Sequence, residues 1–201
     1  MSELLAFVGL GFRHIVSLEA ADHILFLFAL AAIYRPRDWR DALWVVTAFT
    51  VGHSITLALA VTNALALPTA WVEFLIPVTI VATGIENLLV HDRAHTLWGG
   101  RYRPLFSGLF GLVHGAGFAN YLKALFVERV AVPLFGFNVG IEMGQVLVLL
   151  GAVLVFLGAD ASLERLWRRT SWPSALRLRV VGVSVAVILV GSRWAVERSP
   201  W

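Results

Sequence analysis

The sequence predicts an all-α protein, a polytopic integral membrane helix bundle of about six transmembrane helices. Composition is the first reason. Of 201 residues, 59% are hydrophobic and only 14% charged, where a soluble domain carries roughly 25% charged residues. The second is a mean hydropathy of +0.79. The third is that the apolar residues fall in runs of about 20, the length that crosses hydrocarbon about 30 Å thick. One water-soluble core cannot bury so much apolar surface, so lipid must solvate the outside. This excludes secreted mini-proteins, disordered chains and most soluble enzymes. The chain has no Cys, which excludes disulfides, iron–sulfur clusters and thiolate metal sites. The net charge of +3 comes from Arg residues placed between apolar runs, so no nucleic-acid surface is expected.

The six predicted spans are Phe12–Tyr34, Ala42–Asn63, Ala70–Val90, Pro104–Leu122, Val132–Leu157 and Leu178–Trp194. Turn-forming residues break the runs at Arg35-Pro36-Arg37-Asp38, Asn63 to Pro68, Trp98-Gly99-Gly100, Glu128 to Pro133 and Arg168 to Pro173. Residues 3–11 are also apolar, and one straight helix from Leu4 to Tyr34 would be too long. An interfacial segment or a kink near Gly9-Leu10-Gly11 is therefore expected. No linker or second domain interrupts residues 1–201, which read as a single transmembrane domain. The N-terminus lacks the basic region of a cleavable signal peptide, with Glu3 in its place.

Orientation follows from Arg and Lys. Most of the 16 basic residues fall in alternate loops: Arg35, Arg37 and Arg40; Arg93, Arg101 and Arg103; Arg165, Arg168, Arg169, Arg177 and Arg179. The positive-inside rule puts those loops in the cytoplasm, with both termini on the non-cytoplasmic side, as for a bacterial inner-membrane protein.

Ionisable side chains in hydrocarbon cost on the order of 2.5–3.5 kcal/mol each when charged at the helix centre, so each needs a reason. The predicted spans hold Glu19, Asp22, His23, His53, Glu73, Glu86, His114 and Glu142. At a rise of about 1.5 Å per residue, His23, His53, His114 and Glu142 all lie about 15–16 Å into their spans. Four helices thus place a metal-competent group at one depth. Asp22 stands beside His23 as a ligand or its orienting partner. Glu19 and His23, four apart, share a helix face, as do Asn138, Glu142 and Gln145. Glu86 and Asn87 lie deeper toward the cytoplasm, and His14 near the outer surface could line the way in. Gly108, Gly111, Gly115 and Gly117 around His114 permit close helix approach or leave room for an ion. Neutral imidazole with carboxylate suits a divalent Ni, Co, Zn, Fe or Cu ion. A lone membrane His is often only a helix–helix hydrogen bond, and structural glue is the simpler alternative for each of these residues. His91 and His95 have the spacing of a metal pair but fall in a predicted solvated loop.

Several blocks then resemble the HupE/UreJ family of membrane proteins, in its second, shorter branch. They are Gly11-Phe12-Arg13-His14-Ile15 with Asp22-His23-Ile24-Leu25-Phe26-Leu27, and Phe49-Thr50-Val51-Gly52-His53-Ser54-Ile55-Thr56-Leu57. Glu73 and Asn87 follow, then Phe110-Gly111-Leu112-Val113-His114-Gly115-Ala116-Gly117-Phe118-Ala119 and Phe137-Asn138-Val139-Gly140-Ile141-Glu142-Met143-Gly144-Gln145. They cover about residues 11 to 145. The resemblance implies metal handling of the nickel or cobalt uptake type.

Three functions compete at this point. One is a transition-metal permease or metal-binding membrane protein, with His23, His53, His114, Glu142 and Asp22 at the ion. His14, Glu19, Glu86, Asn87, Asn138 and Gln145 would then support the site or line the path. The second is an intramembrane metal-dependent enzyme acting on a lipid-soluble substrate, although H-E-x-x-H and G-x-S-x-G are absent from the sequence. The third is an accessory subunit of a larger membrane complex. The lipid bilayer and a metal ion are the expected partners, and small-residue faces permit a homo-oligomer.

Overall fold

A computed structural model describes residues 3–90, 102–125, 130–166 and 174–201. The described residues form seven α-helices and no strand: α1 Glu3–Val16, α2 Ala21–Ala31, α3 Trp39–Val61, α4 Thr69–Val90, α5 Arg103–Leu125, α6 Ala131–Leu166 and α7 Ala175–Glu197. The protein is an all-α integral membrane bundle. By length and composition four helices can cross a membrane, α3, α4, α6 and α7, and the α1–α2 pair makes a fifth span if counted as one. The six-span expectation therefore exceeds what that test supports. The difference is α5, long enough at 23 residues but not among the sufficiently apolar helices. Its glycines, Ser107 and His114 dilute the apolar run.

The expected first span is bent, and its kink lies elsewhere than expected. The chain bends by 57° between α1 and α2. The break is at Ser17–Ala20, not at Gly9–Gly11: Ser17 is extended (φ −75°, ψ 147°) and Leu18–Ala20 form one 3₁₀ turn. Gly11 instead lies inside α1, where a Cβ would collide with the Phe137 carbonyl of α6. That glycine serves close helix packing rather than a kink.

Local chemistry sets the other ends. Pro36 opens the turn before α3, and the Asp38 carboxylate accepts from the Arg35 amide at 3.1 Å. After α3, Asn63 takes the left-handed conformation (φ 58°), and the amides of Ala64 and Leu65 return to the Leu59 carbonyl. At about 1.5 Å per residue, the 36 residues of α6 extend about 54 Å, longer than the hydrocarbon core.

The tightest helix pairs are α3 with α5, α1 with α6 and α4 with α7. The outer surface is apolar: Leu154, Leu189 and Trp44 are 70%, 66% and 68% exposed, as lipid-facing side chains should be. The short α2 lies inside this frame, and its C-terminal carbonyls cannot reach water. They are met by side chains instead. Asn87 Nδ2 donates to Ala29 O at 2.6 Å, and Arg179 donates to Ala32 O at 3.1 Å and Tyr34 O at 3.0 Å. Arg179 also pairs with Asp160 at 2.6 Å. Counted above among loop charges, Arg179 is in fact buried in α7, where its cation complements the negative end of α2.

Candidate metal centre

The break before α2 creates the site. His14 comes from the last turn of α1, His23 from the first turn of α2, His53 from the middle of α3 and His114 from the middle of α5. Straight-helix depth counting misplaces His23, which is near a helix end rather than halfway along a span. The bend turns α2 so that His14 and His23 face one another, ring centres 4.8 Å apart. His53 lies 6.1 Å from each, and His114 lies 5.1 Å from His23. One candidate ligand nitrogen from each of His14, His23 and His53 falls within 4.8 Å of the others. Among the described residues this is the group of three able to hold a metal ion.

The ring nitrogens show what the arrangement suits. His14 Nε2, His23 Nε2, both nitrogens of His53 and His114 Nδ1 are buried without a hydrogen-bond partner. Leaving a buried polar atom unpaired costs about 1–3 kcal/mol, so five in one place ask for a common partner. Each neutral imidazole offers a lone pair, and the set fits a borderline metal ion. Ligands at about 2.0–2.1 Å around a tetrahedral ion would stand about 3.4 Å apart. The 4.8 Å grouping is therefore open and would contract on loading.

Asp22 orients His23. Its carboxylate accepts from the His23 amide at 2.9 Å and from the His23 Nδ1 at 3.0 Å. The proton is thereby held on Nδ1 and the Nε2 lone pair is left free. Asp22 lies in the first turn of α2, where the helix dipole favours an anion, and Arg198 approaches it at 3.7 Å. Replacing Asp22 by Asn is expected to weaken metal affinity about 10- to 100-fold, read by titration of nickel into the purified protein. An unchanged affinity would count against this role.

His14, His23 and His114 line a vestibule of about 850 Å³, together with Arg13, Glu19, Asp22, Glu73 and Arg198 among others, and His53 lies outside its lining. Glu19 and Glu73 are exposed at its walls. Phe118 lies 4.0 Å from the His14 ring and stacks on Phe137 at 5.3 Å, making one wall apolar. Below, Phe26 and Phe49 pack 5.0 Å apart and lie 5.3 and 5.1 Å from His114.

The other sequence-derived candidates lie elsewhere. Glu142 accepts from Thr47 Oγ1 at 2.7 Å, and Gln145 Oε1 accepts from Thr50 Oγ1 at 2.7 Å. Both tie α6 to α3, and Glu142, like His114 and Asp22, is outside the three-imidazole group. Asn138 is half-buried with its carbonyl oxygen unpartnered. Glu86 and Asn87, candidates for the path, are both held by Arg103, Glu86 through an ion pair and Asn87 through a hydrogen bond. Arg103 Nη2 donates to Glu86 at 2.6 Å and to Asn87 at 2.7 Å, and the Tyr102 hydroxyl also donates to Glu86. Burial and that hydrogen bond push the Tyr102 phenol above its ordinary range, so it remains a donor. A cavity of about 80 Å³ beside this network is lined by Leu30, Phe106 and Phe110 as well as by Thr83, Glu86 and Arg103. Phe26 touches both Phe110 and His114, so aromatic rings separate this cavity from the imidazoles. His91 and His95 lie outside the described residues.

Thr79, Tyr102 and Arg103 were not singled out from sequence. Thr79 had a signal: Pro77 interrupts an apolar span and is followed by Thr79 and Thr83, four apart. Arg103 had none, since it reads as one more basic residue in a loop.

Fold and site together define a polytopic membrane protein with a buried imidazole cluster suited to a metal ion. The family model for HupE / UreJ proteins matches residues 1–198, and the chain belongs to that family. Neither a curated protein nor a solved structure matches it.

Proposed function

We propose that this chain is a transition-metal permease of the bacterial inner membrane, for a divalent ion of the nickel or cobalt class. Both termini would face the non-cytoplasmic side, following the Arg distribution of the loops. The observation that carries the reading is the set of unpartnered buried imidazole nitrogens, two of whose residues, His14 and His23, flank a broken helix and line an open vestibule. Discontinuous helices are a recurrent way of building ion sites in transporters.

The ion is the cargo in this reading. Glu19 and Glu73 attract the hydrated cation, and His14, His23, His53 and His114 replace its water, with Asp22 orienting His23. Glu142 and Gln145 brace α3 through Thr47 and Thr50, and Asn138 lies on the same face of α6. Glu86 and Asn87, closed by Arg103, stand on the way to the cytoplasm. Transport requires coordination weak enough to release, which the open spacing of the nitrogens favours.

Uptake of radioactive nickel and cobalt into proteoliposomes tests this. Accumulation above empty vesicles, lost in His23→Ala, is expected. No accumulation of either ion, with nickel bound to the protein in near-stoichiometric amount, would overturn transport. It would favour the second reading, an intramembrane metal-dependent enzyme. That reading rests on the same three imidazoles, since an ion held by three protein ligands would have a position left for water or substrate.

A further inference from the structure

We infer that Thr79 of α4 is a positioning residue that holds His114 in the Nε2–H form, so that its Nδ1 lone pair is presented to the metal. The inference rests on the metal reading above and adds to it the residue that decides which nitrogen of His114 can bind.

The hydrogen-bond accounting is closed. Thr79 Oγ1 lies 2.7 Å from the Ile76 carbonyl oxygen and 3.0 Å from His114 Nε2. A carbonyl cannot donate, so the hydroxyl proton points at Ile76 O. The hydroxyl has no second proton, and it meets His114 with a lone pair. His114 Nε2 must then be the donor, and Nδ1 carries the free lone pair. That Nδ1 is buried and unpartnered.

The surroundings remove the alternatives. Thr79 and His114 are 6% and 1% exposed, and Thr79 is not in the vestibule lining, so their hydrogen bond is set back from the opening. Thr83 Oγ1 donates to the Thr79 carbonyl at 2.9 Å and secures that turn of α4. The His114 ring lies against Phe26 and Phe49, which offer no acceptor. Its backbone is held because a Cβ on the next residue, Gly115, would collide with the His53 carbonyl. Among the described residues, Thr79 Oγ1 is the one hydrogen-bond partner of His114 Nε2.

His23 is set the opposite way. Asp22 holds its proton on Nδ1 and frees Nε2. Two imidazoles with ring centres 5.1 Å apart are thus held in opposite tautomers by partners on opposite sides. Each keeps one buried nitrogen without a hydrogen-bond partner.

The test separates the tautomer from the metal. Two-bond ¹H–¹⁵N NMR of histidine-labelled, metal-free protein reads the tautomer, with the His114 signal identified by its loss in His114→Gln. Wild type is expected to show Nε2–H. Thr79→Ser keeps the acceptor and should retain it. Thr79→Val keeps the shape without the acceptor and should give a mixture or the other form. Nickel titration should then show affinity falling about 10- to 100-fold in Thr79→Val and restored in Thr79→Ser. An Nδ1–H wild type, or a Thr79→Val protein with unchanged tautomer, overturns the positioning role. A wild type that keeps Nε2–H but binds no nickel overturns the metal reading instead, and with it the purpose assigned to the exposed lone pair. Affinity unchanged in Thr79→Val despite a changed tautomer overturns His114 as a ligand.

Discussion

Replacing His53 by Ala is expected to abolish metal binding while leaving the helix bundle intact. The expectation comes from what His53 lacks. Its ring is 0% exposed, yet neither nitrogen has a hydrogen-bond partner. A buried His kept for structure would have a hydrogen-bond partner, as His114 Nε2 has in Thr79 Oγ1. The metal-free fold therefore gains little from the imidazole. Truncation opens a cavity, which destabilises, but it also removes two unsatisfied polar atoms, which stabilises. The two effects oppose each other and the thermal midpoint should move little. The loss of affinity should exceed the about 10- to 100-fold expected from removing a supporting partner, because a ligand itself is gone. Elemental analysis and a melting curve on the same detergent-purified sample check both halves. Near-stoichiometric metal retained by the variant would sink the cluster as a binding site. A collapsed melting curve would show that His53 serves the fold.

Much of the architecture was legible in the chain because helix ends carry their own chemistry. Arg35-Pro36 and Asn63 mark real boundaries, and the third and sixth predicted spans differ from α4 and α7 by a few residues at most. Of the polar residues read in apolar runs, His23 and His53 fall in the three-imidazole group. What failed was geometry that depends on distant packing. Ser17–Ala20 contain no Gly or Pro, so nothing local announces the 57° bend. Without that bend His14 reads as a surface residue, whereas it is one of the three grouped imidazoles. The shared face of Glu142 and Gln145 was readable from their spacing, but not that it meets Thr47 and Thr50 of α3. Arg103 and Arg179 looked like loop charges because a sequence does not show which carbonyls a broken helix leaves unpaired. Arg179 answers the end of α2 directly. Arg103 does so through Asn87, which it bonds while Asn87 bonds Ala29.

The centre also depends on a seam with no polar chemistry in it. Gly111→Ala is expected to destabilise the protein and remove metal binding together. A Cβ at residue 111 would overlap the Phe49 carbonyl oxygen and stand 3.0 Å from the His53 amide nitrogen. Both obstacles are backbone, so no side chain can swing aside. Helices α3 and α5 must separate, and overpacking of this kind costs about 1–3 kcal/mol or more. Lipid gives no hydrophobic force to draw them back, since association in a membrane relies on close packing itself. The segment displaced, Phe49 to His53, carries one imidazole and the ring beneath His114. Gly151→Ala is the matched control, because nothing lies within 4 Å of a Cβ there. In a helix that change should be neutral or stabilising by up to about 1 kcal/mol. Melting and nickel titration of the two variants side by side decide the matter. Equal behaviour would mean that the α3–α5 approach is not what holds the imidazoles together. Loss confined to Gly111→Ala would locate the rigidity of the metal centre in its glycines.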